Sequence, residues 1–167
     1  MSRAFVKEAD GDNVAEDLPE RPVSPHPNLV TPEGMRCLRE QVRELLTLRS
    51  ALADSDDMAD KQRLKSVERD LRYYDERAST AVLVDPEAQE GRHVHFGSTV
   101  EVRDEAAQPL RFTIVGEDEV DVTAGKISWV SPLALALLDA QVDDVVTWRR
   151  PAGDKELTVV SIRKGPA

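Results

Sequence analysis

From Thr31 onward, apolar side chains recur at alternating intervals of three and four residues. Met35, Leu38, Val42, Leu45 and Leu52 form one series, with Arg49 in the single slot that interrupts it. Leu64, Val67, Leu71, Tyr74, Ala78 and Ala81 form a second series with the same spacing. Such a stripe is what two helices bury against each other. Thr31 and Pro32 supply a capping hydroxyl and a first-turn proline at its start, and the polar stretch 54 to 57 separates the two series. Folding the chain back about residue 56 brings Leu52 opposite Asp60, Arg49 opposite Leu64, Leu45 opposite Val67, Val42 opposite Leu71 and Leu38 opposite Tyr74. The pattern predicts an antiparallel helical hairpin over residues 31–85, with a tip at 54 to 57 and arms of ~30 to 35 Å at ~1.5 Å per residue.

Past Val84, Asp85 and Pro86, which end the second helix, and a linker over 87 to 91, the period changes to two. Val100 and Val102, then Leu110, Phe112 and Ile114, then Val145, Val146 and Trp148, then Leu157, Val159, Val160 and Ile162 read as strands, with 126 to 129 as a further one. A single short helix is expected where Ser131 caps, Pro132 opens and an apolar run follows, and Pro151, Ala152 and Gly153 predict a hairpin turn. The fold class is α+β, with a helical hairpin followed over 92–165 by a small domain of one antiparallel sheet and one helix.

Residues 1–30 fit neither period. They carry six acids, three bases and prolines at 19, 22, 25 and 27, a composition that favours extended, solvated chain. The segment reads as an acidic, proline-rich tail; the alternative is a strap packed on the body or on a partner. Over the whole chain, 32 acids against 22 bases give a formal charge of −10, which repels nucleic-acid backbones and anionic lipid. Cys37 is alone, so neither an intramolecular disulfide nor a multi-thiolate metal site is available. The longest apolar run, 133 to 138, falls far short of the ~20 residues that span a bilayer. A cytoplasmic protein with no membrane partner is expected.

Candidate chemistry concentrates at the hairpin tip. Asp54, Asp56, Asp57 and Asp60 offer hard oxygen ligands suited to Mg²⁺, although that ion keeps its waters and needs further ligands from a partner. Helix capping alone also accounts for them, since acids are stabilised in a first turn and Asp57 with Asp60 fits an N-cap and N3 pair. His93 and His95 share one face of an expected strand, without the third and fourth ligands that a metal site needs. There is no phosphate-binding glycine loop or nucleophile elbow, so a self-contained enzyme is not indicated.

The strings Phe96-Gly97-Ser98-Thr99-Val100, Ile114-Val115-Gly116-Glu117-Asp118-Glu119, Gly125-Lys126-Ile127-Ser128, Ser131-Pro132-Leu133-Ala134 and Pro151-Ala152-Gly153 follow one another in an order and spacing similar to the Gre transcript-cleavage factors of bacterial RNA polymerase. Val30-Thr31-Pro32-Glu33-Gly34 and Ala81-Val82-Leu83-Val84-Asp85 resemble the same family, so the likeness runs from about residue 29 to 165. It implies an FKBP-like C-terminal domain that docks on the rim of the polymerase secondary channel through Val130, Ser131 and Pro132. It further implies a coiled coil inserted toward the active centre, with the nascent RNA 3′ end near its tip. Asp57-Met58-Ala59-Asp60 resembles the family's tip pattern of an acid, two variable residues and a second acid. Asp57 and Asp60 would then be the catalytic pair holding Mg²⁺, with Asp54 and Asp56 auxiliary. The metal belongs to the polymerase active centre and the factor has no cofactor of its own. The factor is not itself an enzyme and at most stimulates the polymerase's own RNA cleavage. A monomer is expected.

The chain departs from the family pattern at the tip. Asp60 replaces a usual glutamate, Lys61 a usual asparagine and Asp56 a common glycine, and each arm is short by about one heptad, or ~10 Å. Arg49 sits in the expected seam one layer below Asp60, either to pair with a tip acid or to set register. A short hairpin also suits a non-cleaving secondary-channel regulator or inhibitor of transcription, and Val146-Thr147-Trp148 resembles the branch of nucleoside diphosphate kinase regulators. A prolyl isomerase is suggested by the implied FKBP-like fold alone, which does not confer the activity.

Overall fold

The computed structural model describes residues 18–165. Its two largest helices are α1, Pro32–Leu52, and α2, Met58–Thr80. Thr31 caps α1 by accepting the Gly34 N–H at 3.0 Å, and Asp57 caps α2 by accepting the Ala59 N–H at 2.7 Å. The short connection over 53 to 57 forces the helices to run in opposite directions. Leu38 and Leu52 of α1 and Val67 and Leu71 of α2 are the buried apolar side chains between them. One expected seam position is corrected: Arg49 is exposed and Leu48 is half-buried. Leu48 lies three residues after Leu45 and four before Leu52, so the helix keeps its periodicity with an apolar side chain and leaves the guanidinium in water.

For residues 1–30 the structure takes the strap alternative over the free tail from residue 18 onward; the first seventeen residues lie outside the described ones. Residues 18 to 28 lie along α2 as a strap. Glu20 accepts three hydrogen bonds from Arg72 Nε and Nη2, the shortest at 2.5 Å from Nη2 to Oε1, and the Arg21 guanidinium stacks 3.9 Å from the Tyr73 ring centroid. Asn28 donates to the Arg77 carbonyl at 2.7 Å. Strand β1, Leu29–Val30, then pairs in parallel with β2, Val82–Leu83, which follows α2. Proline thus keeps the strap extended and the ion pairs and ring stacking fix it, so the composition describes its conformation and not its freedom.

A five-stranded sheet forms the second body. Its strands are β3 (Thr99–Asp104), β4 (Pro109–Val115), β5 (Lys126–Ser128), β6 (Val145–Trp148) and β7 (Lys155–Arg163), in the order β5-β4-β3-β7-β6. The expectation of an all-antiparallel sheet is corrected at one edge, because β5 joins β4 in parallel. Residues 116 to 125 carry the chain back to the level of Thr113, so that β5 runs alongside the last three residues of β4 in the same direction. Helix α3, Pro132–Leu137, is capped by Ser131 and buries Leu133, Ala134 and Leu137. These join Val94, Val100, Val102, Ile114, Leu157 and Val159 in the core. The alternation read from sequence therefore points inward at Val100, Val102 and Ile114. His93 and His95, expected on a strand, precede β3 in an irregular segment.

The two bodies meet through a 3-10 turn, Glu117–Glu119. Glu119 accepts the Thr31 N–H at 3.0 Å and the Thr31 hydroxyl, and so grips the start of α1. Asp118 accepts the Tyr73 hydroxyl at 2.6 Å and Arg77 Nε at 2.5 Å, and so grips the last turns of α2. Arg77 is only 2% exposed. The approach is close enough that a Cβ on Gly34 would lie 2.1 Å from Glu119 Cδ, and one on Gly116 would lie 2.4 Å from the Leu29 carbonyl oxygen.

Candidate functional site

The tip of the hairpin is built by its own hydrogen bonds. The Ser55 hydroxyl donates to Asp60 Oδ2 at 2.6 Å and accepts the Asp57 N–H at 3.3 Å, tying the turn to the first turn of α2. Asp57 Oδ1 is engaged by the Ala59 N–H. Asp57 Oδ2 and Asp60 Oδ1 accept no hydrogen bond from any described residue. Asp56 is fully exposed and lies 3.8 Å from Lys61 Nζ, a surface pair of little energetic weight. Asp54 is exposed and without a bonding partner among the described residues. The structure thus brings Asp57 and Asp60 together at one helix start and leaves Asp54 and Asp56 on the rim of the turn. Arg49 makes no ion pair with a tip acid. Among the described residues no group of three or more His, Cys, Asp and Glu side chains is arranged to hold a metal ion. What the tip offers is two carboxylates, each with one oxygen free, at the end of a stiff two-helix arm.

Val130, Ser131 and Pro132 stand in the sheet domain, between β5 and α3. Ser131 Oγ accepts the Ala134 N–H at 3.2 Å and starts α3, Pro132 is exposed, and Val130 is half-buried. Leu135, one turn on, is 58% exposed. The preceding Trp129 packs edge-on against His26 of the strap, with ring centroids 6.1 Å apart. That contact places this segment at the base of the hairpin, a helix length from the tip, or ~35 Å for α2 at ~1.5 Å per residue. His93 bonds Gln141 at 2.7 Å, and its ring centroid lies 6.2 Å from that of His95.

Sequence reasoning missed the junction that sets the angle between arm and sheet. Tyr73, Arg77, Asp118 and Glu119 form it. Its one signal was the acidic turn 117 to 119, a run of three acids next to a glycine, beside an arginine flanking the seam of α2.

Residues 88–164 match the family model for Transcription elongation factor, GreA/GreB, C-term. Transcription elongation factor GreB of Neisseria meningitidis serogroup B is 30% identical over 151 positions, covering 81% of this chain and 93% of that protein. The chain belongs to the GreA/GreB family of transcription elongation factors. GreB of Pseudomonas aeruginosa is 34% identical over 154 positions, covering 83% of this chain and 92% of that protein. The crystal structure of GreA factor homolog 1 (Gfh1) of Thermus thermophilus aligns at 28% identity over 83% of this chain and 99% of that one, with a TM-score of 0.38. In the comparison with the Neisseria protein, 81% of 167 residues is about 135, so about 16 of the 151 aligned positions have no residue of this chain opposite them.

Proposed function

We propose that this family member binds RNA polymerase at the rim of the secondary channel and directs its hairpin toward the active centre. There it stimulates the polymerase's own cleavage of backtracked RNA. The observation that carries this reading is the tip, where Asp57 and Asp60 share one helix start and each keeps a carboxylate oxygen free. The sheet domain docks through Val130, Ser131 and Pro132, and the 117 to 119 turn fixes the direction in which the arm projects. Asp57 and Asp60 would hold Mg²⁺ only together with the polymerase, where the ion polarises the attacking water and offsets charge on the phosphate. The chain's own contribution is to hold two carboxylates still, with the ordering entropy already met by capping bonds. The nascent RNA 3′ end lies near the tip in this arrangement, the factor acts as a monomer in the cytoplasm, and the polymerase remains the enzyme.

A second reading is favoured by a specific observation. About 16 of the positions aligned with the Neisseria protein are gaps in this chain, a number that one heptad lost from each arm would account for, at ~10 Å of reach. A tip held ~10 Å from the metal cannot make carboxylate bonds of ~2 Å. Such a factor occupies the channel as a non-cleaving regulator. RNA length in a stalled, backtracked elongation complex with Mg²⁺ decides between them, using wild type beside Asp57→Ala/Asp60→Ala. The cleavage reading expects shortened RNA with wild type and intact RNA with the double variant, both proteins binding polymerase equally. Intact RNA with bound wild type overturns it in favour of the regulator.

A further inference from the structure

Between the two arms, on the flank of α2 next to the strap, runs an open groove of about 690 Å³ that includes Met35, Val42, Ala78 and Leu83. It meets a second hollow of about 280 Å³, floored by Leu46 and Leu71, with Val42 and Asp75 common to both. Leu46 and Leu83 are 39% and 54% exposed, so the floor is apolar surface left in water. The edge is basic. Arg39, Arg43 and Arg49 line it, all exposed and none with an acidic partner among the described residues, while Asp75 is the one acid in the lining. On a chain with a formal charge of −10 this is a concentrated reversal of sign.

The strap indicates what covers the groove. Leu18 lies beside Lys65 and Glu68, Glu20 at Arg72, Arg21 at Tyr73 and Asn28 at Arg77. The strap therefore runs parallel to α2, and its residue 18 is the end nearer the tip. Arg72 bonds Glu20 on the strap side and lines the hollow on the other, so the chain before Leu18 starts one helix flank from the groove. Residues 1–17 contain Phe5, Val6 and Val14 together with five acids and two bases. Seventeen residues reach ~55 Å when extended, more than the ~35 Å length of the hairpin.

We propose that this groove is the docking site of the chain's own N-terminal segment, residues 1–17. Phe5, Val6 and Val14 cover the apolar floor, and Glu8, Asp10, Asp12, Glu16 and Asp17 face the arginine edge. The arginine face of the hairpin is then screened by an internal acidic ligand, and any outside polyanion or acidic peptide must displace it. Apolar contacts set the depth of docking and charge sets its salt dependence.

NMR on the full chain tests this. Nuclear Overhauser contacts are expected from Phe5, Val6 and Val14 to the Met35, Leu46 and Leu83 methyl groups. They should disappear in Arg39→Glu/Arg43→Glu and in about 1 M salt, where screening shortens to ~3 Å. Unchanged sheet amide shifts in that variant confirm that it is folded. Three results overturn the proposal: no contacts to these methyls in wild type, contacts that survive the charge reversal, or contacts only between labelled and unlabelled copies in a mixed sample. The last result makes the groove a surface between two copies of the chain.

Discussion

Asp57 has a structural duty and a proposed chemical one, and substitution separates them. Alanine removes the acceptor for the Ala59 N–H and should cost about 1 kcal/mol, whereas asparagine keeps the cap and loses only the charge. Asp57→Asn is therefore expected to unfold in urea with the wild-type midpoint yet fail to support RNA cleavage, while Asp57→Ala loses both. Normal cleavage by the asparagine variant would leave Asp57 with capping alone. Tyr73 supplies a second test at this scale. Burial, and then its hydrogen bond to Asp118, push its phenol up to about 12. The folded value lies above the ordinary ~10, so the stabilisation is complete below pH ~10 and is lost as pH rises from about 10 toward 12. The chain has two tyrosines, so ultraviolet titration resolves this group. A late phenolate step near pH 12 is expected in wild type and should be absent in Tyr73→Phe, whose stability should also fall less over that interval.

At the scale of elements, the grip of the 117 to 119 turn on α2 rests on a buried charge pair, Arg77 Nε to Asp118 Oδ2 at 2.5 Å, with side chains 2% and 12% exposed. Removing one member leaves the other charge without its partner away from water, at a cost of about 3 to 5 kcal/mol. Arg77→Met is expected to lower stability in urea by that amount, and Arg77→Met/Asp118→Leu to recover much of it. Equal losses in both would show that packing and not charge holds the junction. The helices and most strands were legible because each rests on local periodicity: Leu38, Val67 and Leu71 on a helical repeat, Val100, Val102 and Ile114 on alternation. Leu48 and Arg49 were not separated, since both continue a repeat of three and four and only the cost of burying a guanidinium chooses between them. The parallel β5 edge was hidden, and the strap was readable only as the alternative to a solvated tail, for another reason. Each depends on partners far along the chain, Lys126 on Thr113 and Arg21 on Tyr73, and a periodicity of neighbours carries no record of such pairs.

At the scale of the whole molecule, the tip acids were legible as candidates because four carboxylates in seven residues stand out in any composition. What they do depends on how far the arm projects, which no residue encodes by itself. Reach follows from helix length, and the second proposed reading puts this chain's shortfall there, as one heptad lost from each arm. Inserting one in-phase heptad into each arm, midway along α1 and at the matching level of α2, adds ~10 Å while keeping the seam and the junction intact. If reach limits the metal contact, the lengthened factor should cleave backtracked RNA at least tenfold faster than wild type. The gain should vanish when Asp57 and Asp60 are both alanine. A lengthened factor that cleaves no faster, yet binds polymerase as well as wild type, would mean that docking already carries the short arm to the metal. In the proposed arrangement, a shorter arm would then be matched by a change in how the sheet domain sits on the polymerase.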